Sequence, residues 1–100
     1  MTETNDVVFF ESHTRVTLVE VARSSGMPEE LIYELIEFGV LSAGEGGTLP
    51  GACVGRLREA ARLREDLELD TATVALVLRY LERIEALEVR VKYLGAQGRD

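Results

Sequence analysis

The chain has little from which to build reactive chemistry: one cysteine, one histidine and no tryptophan in 100 residues. With Cys53 alone there is no intramolecular disulfide to form and no thiolate set for zinc, which agrees with a reducing compartment. His13 stands in a turn-like polar stretch, Glu11-Ser12-His13-Thr14, without a metal or triad context, and reads as an ordinary exposed residue. Neither phosphate-loop pattern, GxxxxGK[ST] or GxGxxG, can be found, and no metal-ligand spacing occurs. Catalysis needs a nucleophile, a base and an orienting group converging in a cleft, and these residues do not supply one. A non-enzymatic chain without cofactor is therefore expected. Cys53 at a helix start could have its thiol activated by the helix dipole, but a small buried residue among apolar neighbours is the favoured reading.

No apolar run approaches the roughly 20 residues of a membrane span. The opening MTETNDVV lacks the basic and apolar segments of a secretory signal, so a soluble cytoplasmic protein is expected.

What is present is a foldable composition, 46% hydrophobic and 29% charged, in a length that suits one modest core. The net charge of −7 is unevenly placed. Residues 1 to 50 carry nine acids against Arg15 and Arg23, while residues 51 to 100 carry nine acids and nine bases. A surface built from the first half repels phosphate backbones and attracts a basic partner.

Val7 to Phe10 reads as a short strand or extended arm. Thr17 with Glu20 fits a capping box and opens a first helix to Ser25, closed by Gly26. Pro28 suits the first turn of a second helix, whose apolar stripe is Leu31, Ile32, Leu35 and Ile36, ending at Gly39. Val40 to Leu49, with Gly44, Gly46 and Gly47 inside, reads as a β-hairpin or glycine-rich wing. Pro50 is expected to start a third helix carried by Val54, Leu57, Ala60, Leu63 and Leu67. Asp70 is a good N-cap for a last helix from about Thr71 to Leu94, roughly 35 Å long. The organisation is then a winged helix-turn-helix domain with an N-terminal arm over 1–70, a long helix over 71–94 and a flexible polar tail over 95–100.

The last helix carries two apolar stripes. Val74, Leu78 and Leu81 suit the domain core, while Val77, Tyr80, Ile84, Leu87, Val91 and Leu94 follow the 3,4 spacing of a coiled-coil seam. A helix longer than its domain calls for a second copy to bury its far end, so a homodimer is expected; folding back on its own domain is the alternative.

Helix, turn, helix, wing, helix and a long terminal helix is the order of the MerR-like regulators, which residues 17 to 94 resemble throughout. In that superfamily the second helix carries a motif close to T-I-R-Y-Y-E-R-x-G-L, whose basic groups approach DNA. Here the matching stretch is Leu31-Ile32-Tyr33-Glu34-Leu35-Ile36-Glu37-Phe38-Gly39-Val40, with Tyr33 and Glu37 in place of the arginines. Glu29 and Glu30 add negative charge at the helix start. Such a helix meets a polyanion against its own charge, and no nucleic-acid partner is expected.

The sequence resembles more closely the chaperone-modulator, CbpM-like, family on the same scaffold. The resemblance rests on Glu37-Phe38-Gly39-Val40-Leu41, on the tract Ala60-Ala61-Arg62-Leu63-Arg64-Glu65-Asp66-Leu67-Glu68-Leu69-Asp70, and on Val74-Ala75-Leu76-Val77-Leu78 with the helix that follows. A short wing and the lack of a tryptophan after Asp70 are its departures. The resemblance implies a mainly α, MerR-like winged helix-turn-helix with a short β wing and a long C-terminal helix. It also implies binding to the J-domain of a DnaJ-type co-chaperone, where Hsp70 docks, and inhibition by occupancy. Glu29, Glu30, Tyr33, Glu34, Glu37 and Phe38 are the candidate partner-binding residues, although the four glutamates are not expected to share one side of a helix whose other side is core. The competing classes are a MerR-type DNA-binding transcriptional regulator and a helical adaptor that pairs with another protein's helix.

Overall fold

Thr17 is where strand becomes helix. Its backbone is extended, and its hydroxyl accepts a hydrogen bond from the Glu20 N–H at 3.2 Å, satisfying one of the orphan donors at a helix start. In the computed structural model, which describes residues 14–97, strand β1 (Arg15–Thr17) therefore runs into helix α1 (Leu18–Ser25) without a linker. The arm expected at Val7 to Phe10, and His13, lie outside the described residues.

Gly26 ends α1 in the left-handed region, φ 83°, with its N–H on the Ala22 carbonyl at 2.9 Å. The buried Ser25 hydroxyl accepts from the Met27 N–H, so the tight turn carries its own polar satisfaction into the core. Pro28 caps helix α2 (Glu29–Glu37) rather than lying in its first turn. Gly39, at φ 86°, then turns the chain so that the Val40 N–H reaches the Leu35 carbonyl.

Of the two readings of Val40 to Leu49, the glycine-rich wing holds and the local hairpin does not. A short 3₁₀ turn over Glu45–Gly47 leads into strand β2 (Thr48–Pro50), and β2 pairs antiparallel with β1, placing Val16 opposite Leu49. Both side chains point into the core. Leu41 is drawn into the same core, so the first arm of the would-be hairpin is spent on packing and leaves the edge of β2 to Arg15–Thr17. Arg15 stitches the wing down, donating from Nε and Nη2 to the hydroxyl and carbonyl of Thr48 at 3.2 and 2.9 Å.

Pro50 belongs to β2, and helix α3 (Cys53–Leu67) starts three residues later. It buries Cys53, Val54, Leu57, Ala60 and Ala61 and ends at Glu68 in the left-handed region, φ 54°. Leu67, expected on the buried face, is exposed at the end of that helix. Asp70 caps helix α4 (Thr71–Gln97) by accepting from the Thr73 N–H at 2.9 Å. This helix passes the expected end at Leu94 and takes residues 95–97 of the supposed tail into its last turn.

One core joins these elements, centred on Val21, Ile32, Leu35, Leu49, Leu57 and Val74, all fully enclosed. Helix α3 lies between α1 and α4, and α2 closes against both α1 and α4. The result is mainly helical with a two-stranded sheet, the winged helix-turn-helix expected from the sequence.

Candidate partner-binding face

Helix α2 gives its core only Leu31, Ile32 and Leu35, with Ile36 half-covered. At about 100° per residue, Glu29, Glu37, Glu30 and Glu34 follow one another within an arc of about 140° on the opposite side. The four glutamates therefore do share one exposed face, contrary to the sequence-based expectation. The core stripe is narrow enough to leave more than half of the helix circumference to solvent. Tyr33, 55% exposed, sits within the acidic arc, and Phe38, 50% exposed, stands just past the helix end. No basic residue lies on α2.

The lower end of this face has a defined shape. Thr71, the first residue of α4, donates its hydroxyl to the Glu34 carboxylate at 2.9 Å. Glu34, Glu37, Phe38 and Thr71 line a shallow depression between the end of α2 and the start of α4. Thr71 escaped the sequence reading because only the tertiary packing of α4 against α2 brings it there. The Asp70 carboxyl beside it is held below its ordinary range by the Thr73 hydroxyl and backbone N–H.

Several arginines of the domain are engaged internally. Arg15 is tied to Thr48, Arg58 donates to the Ser24 carbonyl at 2.6 Å, and Arg56 pairs with Glu85 of α4 at 2.8 Å. Arg62 and Arg64 make loose, exposed pairs with Glu59 and Glu65 at 3.6 and 3.8 Å, which leaves the outer side of α3 mixed in charge. Cys53 is 1% exposed, and burial pushes its thiol up against the smaller opposing effect of Arg56. It is a packed core residue with an unactivated thiol. Among the described residues no cluster of ligands suits a metal ion, and no helix is long and apolar enough to cross a membrane.

Within the expected seam of α4, Val77 is half-covered by the domain, whereas Tyr80, Ile84, Leu87, Val91 and Leu94 are each about half or more exposed. Leu76, also half exposed, extends this stripe toward the domain. A pattern started at Val77 overlooks it, although Leu76 and Tyr80 are four residues apart.

The family model of the MerR HTH family regulatory proteins matches residues 16–95, from the inward-facing Val16 of β1 to the last turns of α4. The chain belongs to the MerR HTH regulatory family. No curated protein and no solved structure gives a match. In MerR terms α1, the turn at Gly26 and α2 form the helix-turn-helix, β2 and the 3₁₀ turn form the wing, and α4 is the long helix that leaves the domain. In a helix-turn-helix the second helix is the one that enters the DNA groove. In this MerR-family chain that helix is the acidic one.

Proposed function

We propose that this MerR-family chain is a chaperone modulator. It binds the basic J-domain surface of a DnaJ-type co-chaperone through the outer face of α2 and blocks engagement with Hsp70. The observation that carries the reading is the exposed arc of Glu29, Glu30, Glu34 and Glu37, without a cation, at the position where a DNA-reading helix needs cations. Such an arc steers a basic partner and repels nucleic acid, while Tyr33 and Phe38 offer aromatic surface that can be buried against it. The J-domain is the basic partner implied by the resemblance in the α2 and α3 sequences.

The test is calorimetric titration of the purified protein with a J-domain at about 50 mM and about 500 mM salt, where the screening length falls severalfold. Binding, with loss of J-domain stimulation of the Hsp70 ATPase, is expected at low salt, and both should fade sharply at high salt. Absent or salt-independent binding overturns the reading. The family description favours a second reading, a transcriptional regulator. A gel shift with the DNA upstream of its own gene would support it, and would then have to be explained by cations outside α2.

A further inference from the structure

Helix α4 carries a second apolar patch, on the side turned toward its own domain. After the connection at residues 68–70 the helix runs back along α3, and the Arg56–Glu85 pair fixes where the two lie side by side. Every residue over 82–95 is exposed. Among them Val89, 67% exposed, and Tyr93, 62% exposed, stand one turn apart. At about 100° per residue they are centred about 60° from the core-facing Val74 and Leu78, and about 160° from the stripe of Tyr80, Ile84, Leu87, Val91 and Leu94. They therefore overhang the domain, past the start of α3.

The chain enters the fold beside this overhang. Val89 and Tyr93 stand about 6 and 12 Å beyond Glu85 along α4. Gly51, five residues before Arg56, stands roughly 6–10 Å beyond it in the same direction, and its N–H donates to the Thr14 carbonyl at 2.8 Å. Residues 1–13 thus join the fold level with the patch. The lateral step from α3 to α4 is about 8–10 Å. Phe10 and Val7, four and seven residues before Thr14, reach at most about 14 and 25 Å from it, which spans that step. The charges match as well. The patch lies between two cations, Lys92 and Arg90, each about 60° from its nearer edge. The apolar run Val7-Val8-Phe9-Phe10 lies between two acids, Asp6 and Glu11.

From this placement and this match we propose that residues 7–10 pack on Val89 and Tyr93 of their own chain, with the flanking acids of the segment toward the flanking cations of the patch. Two phenylalanines and two valines there cover apolar surface that the rest of the domain leaves wet. The segment straps the projecting half of α4 to the domain, and the stripe on the outer side stays open. The contact is independent of what α2 binds.

Phe10→Cys combined with Val89→Cys should close a disulfide within one chain under mild oxidation, seen as faster migration on a non-reducing gel. Cys53 is buried and takes no part. Phe10→Cys with Ile84→Cys, on the outer side of the helix, should link about tenfold more slowly, because the effective concentration falls where the second thiol faces away. Replacing Phe9 and Phe10 by serine should speed amide exchange over residues 89–95 about tenfold and leave the core of α1 and α3 unchanged. Equal linking of the two pairs overturns the proposal. So does a link formed only between chains, which seats the segment on a second copy, and so does unchanged exchange in the serine variant, which leaves the patch to a different protein.

Discussion

Replacing Glu30 and Glu37 together by glutamine removes two charges from the middle of the α2 arc and leaves its shape intact. Glu30 lies in the first turn and Glu37 is the last residue of the helix, so the macrodipole favours one carboxylate and opposes the other. Each effect is about 0.3–1 kcal/mol, and neutralising both leaves folding stability nearly unchanged. Binding is another matter. A partner cation about 6 Å from each carboxylate, in a medium of effective dielectric constant about 40, interacts with about 1.4 kcal/mol, and side-chain ordering trims this to about 0.5–1 kcal/mol. For the pair, about 1–2 kcal/mol corresponds to a loss of roughly 5- to 30-fold in affinity for the J-domain. The assay is titration at low and high salt beside a thermal melt of each protein. The variant should bind more weakly at low salt, chiefly through slower association, and the gap should close as salt rises. Unchanged low-salt affinity with an unchanged melt would refute the reasoning, because it would place the partner elsewhere.

Other consequences concern the scaffold. Gly26→Ala should destabilise by about 1–2 kcal/mol through the left-handed backbone alone, since a Cβ there meets nothing within 4 Å. A melt should show a fall of roughly 5–10 °C. Leu57→Ala empties the centre of the core and should lower stability by about 2–5 kcal/mol in urea unfolding, with its slope unchanged. Because the folded-state value of Asp70 is lowered, its capping contribution is fully present above the ordinary carboxyl value of 3.8 and disappears as pH falls through the lower folded value. Circular dichroism of the wild type should therefore lose helicity in that acid window. Asp70→Asn, which caps without titrating, should lack this component of the loss.

The helices were legible because each carries its own punctuation. Thr17 and Gly26 bracket α1, Asp70 opens α4, and the stripes of α2 and α3 repeat at helical spacing. The sheet was not, because its two strands are three residues each and their pairing is long-range: Arg15 and Thr48 are 33 positions apart. Three glycines close together signalled a local turn, and nothing near them revealed that Val16 would take the place of the other hairpin arm. Pro50 carried a helix-start signal but occupies the strand, where its missing N–H costs no pairing, because the bond to β1 at this end is made by the next residue, from the Gly51 N–H to the Thr14 carbonyl. For the candidate face, residue types were readable and their common side was not judged correctly. The width of the core stripe decides that, and Leu31, Ile32 and Leu35 proved to be enough.

The pairing of Val16 with Leu49 has an engineering consequence. The register of the sheet is held by two enclosed side chains, and the starts of α1 and α3 follow directly from it. Residues 42–47 are exposed, and their number does not enter that register. Wing length is therefore a free variable of this scaffold, which accommodates the short wing of this chain. A peptide tag spliced after Gly46 should travel with the domain without moving its helices.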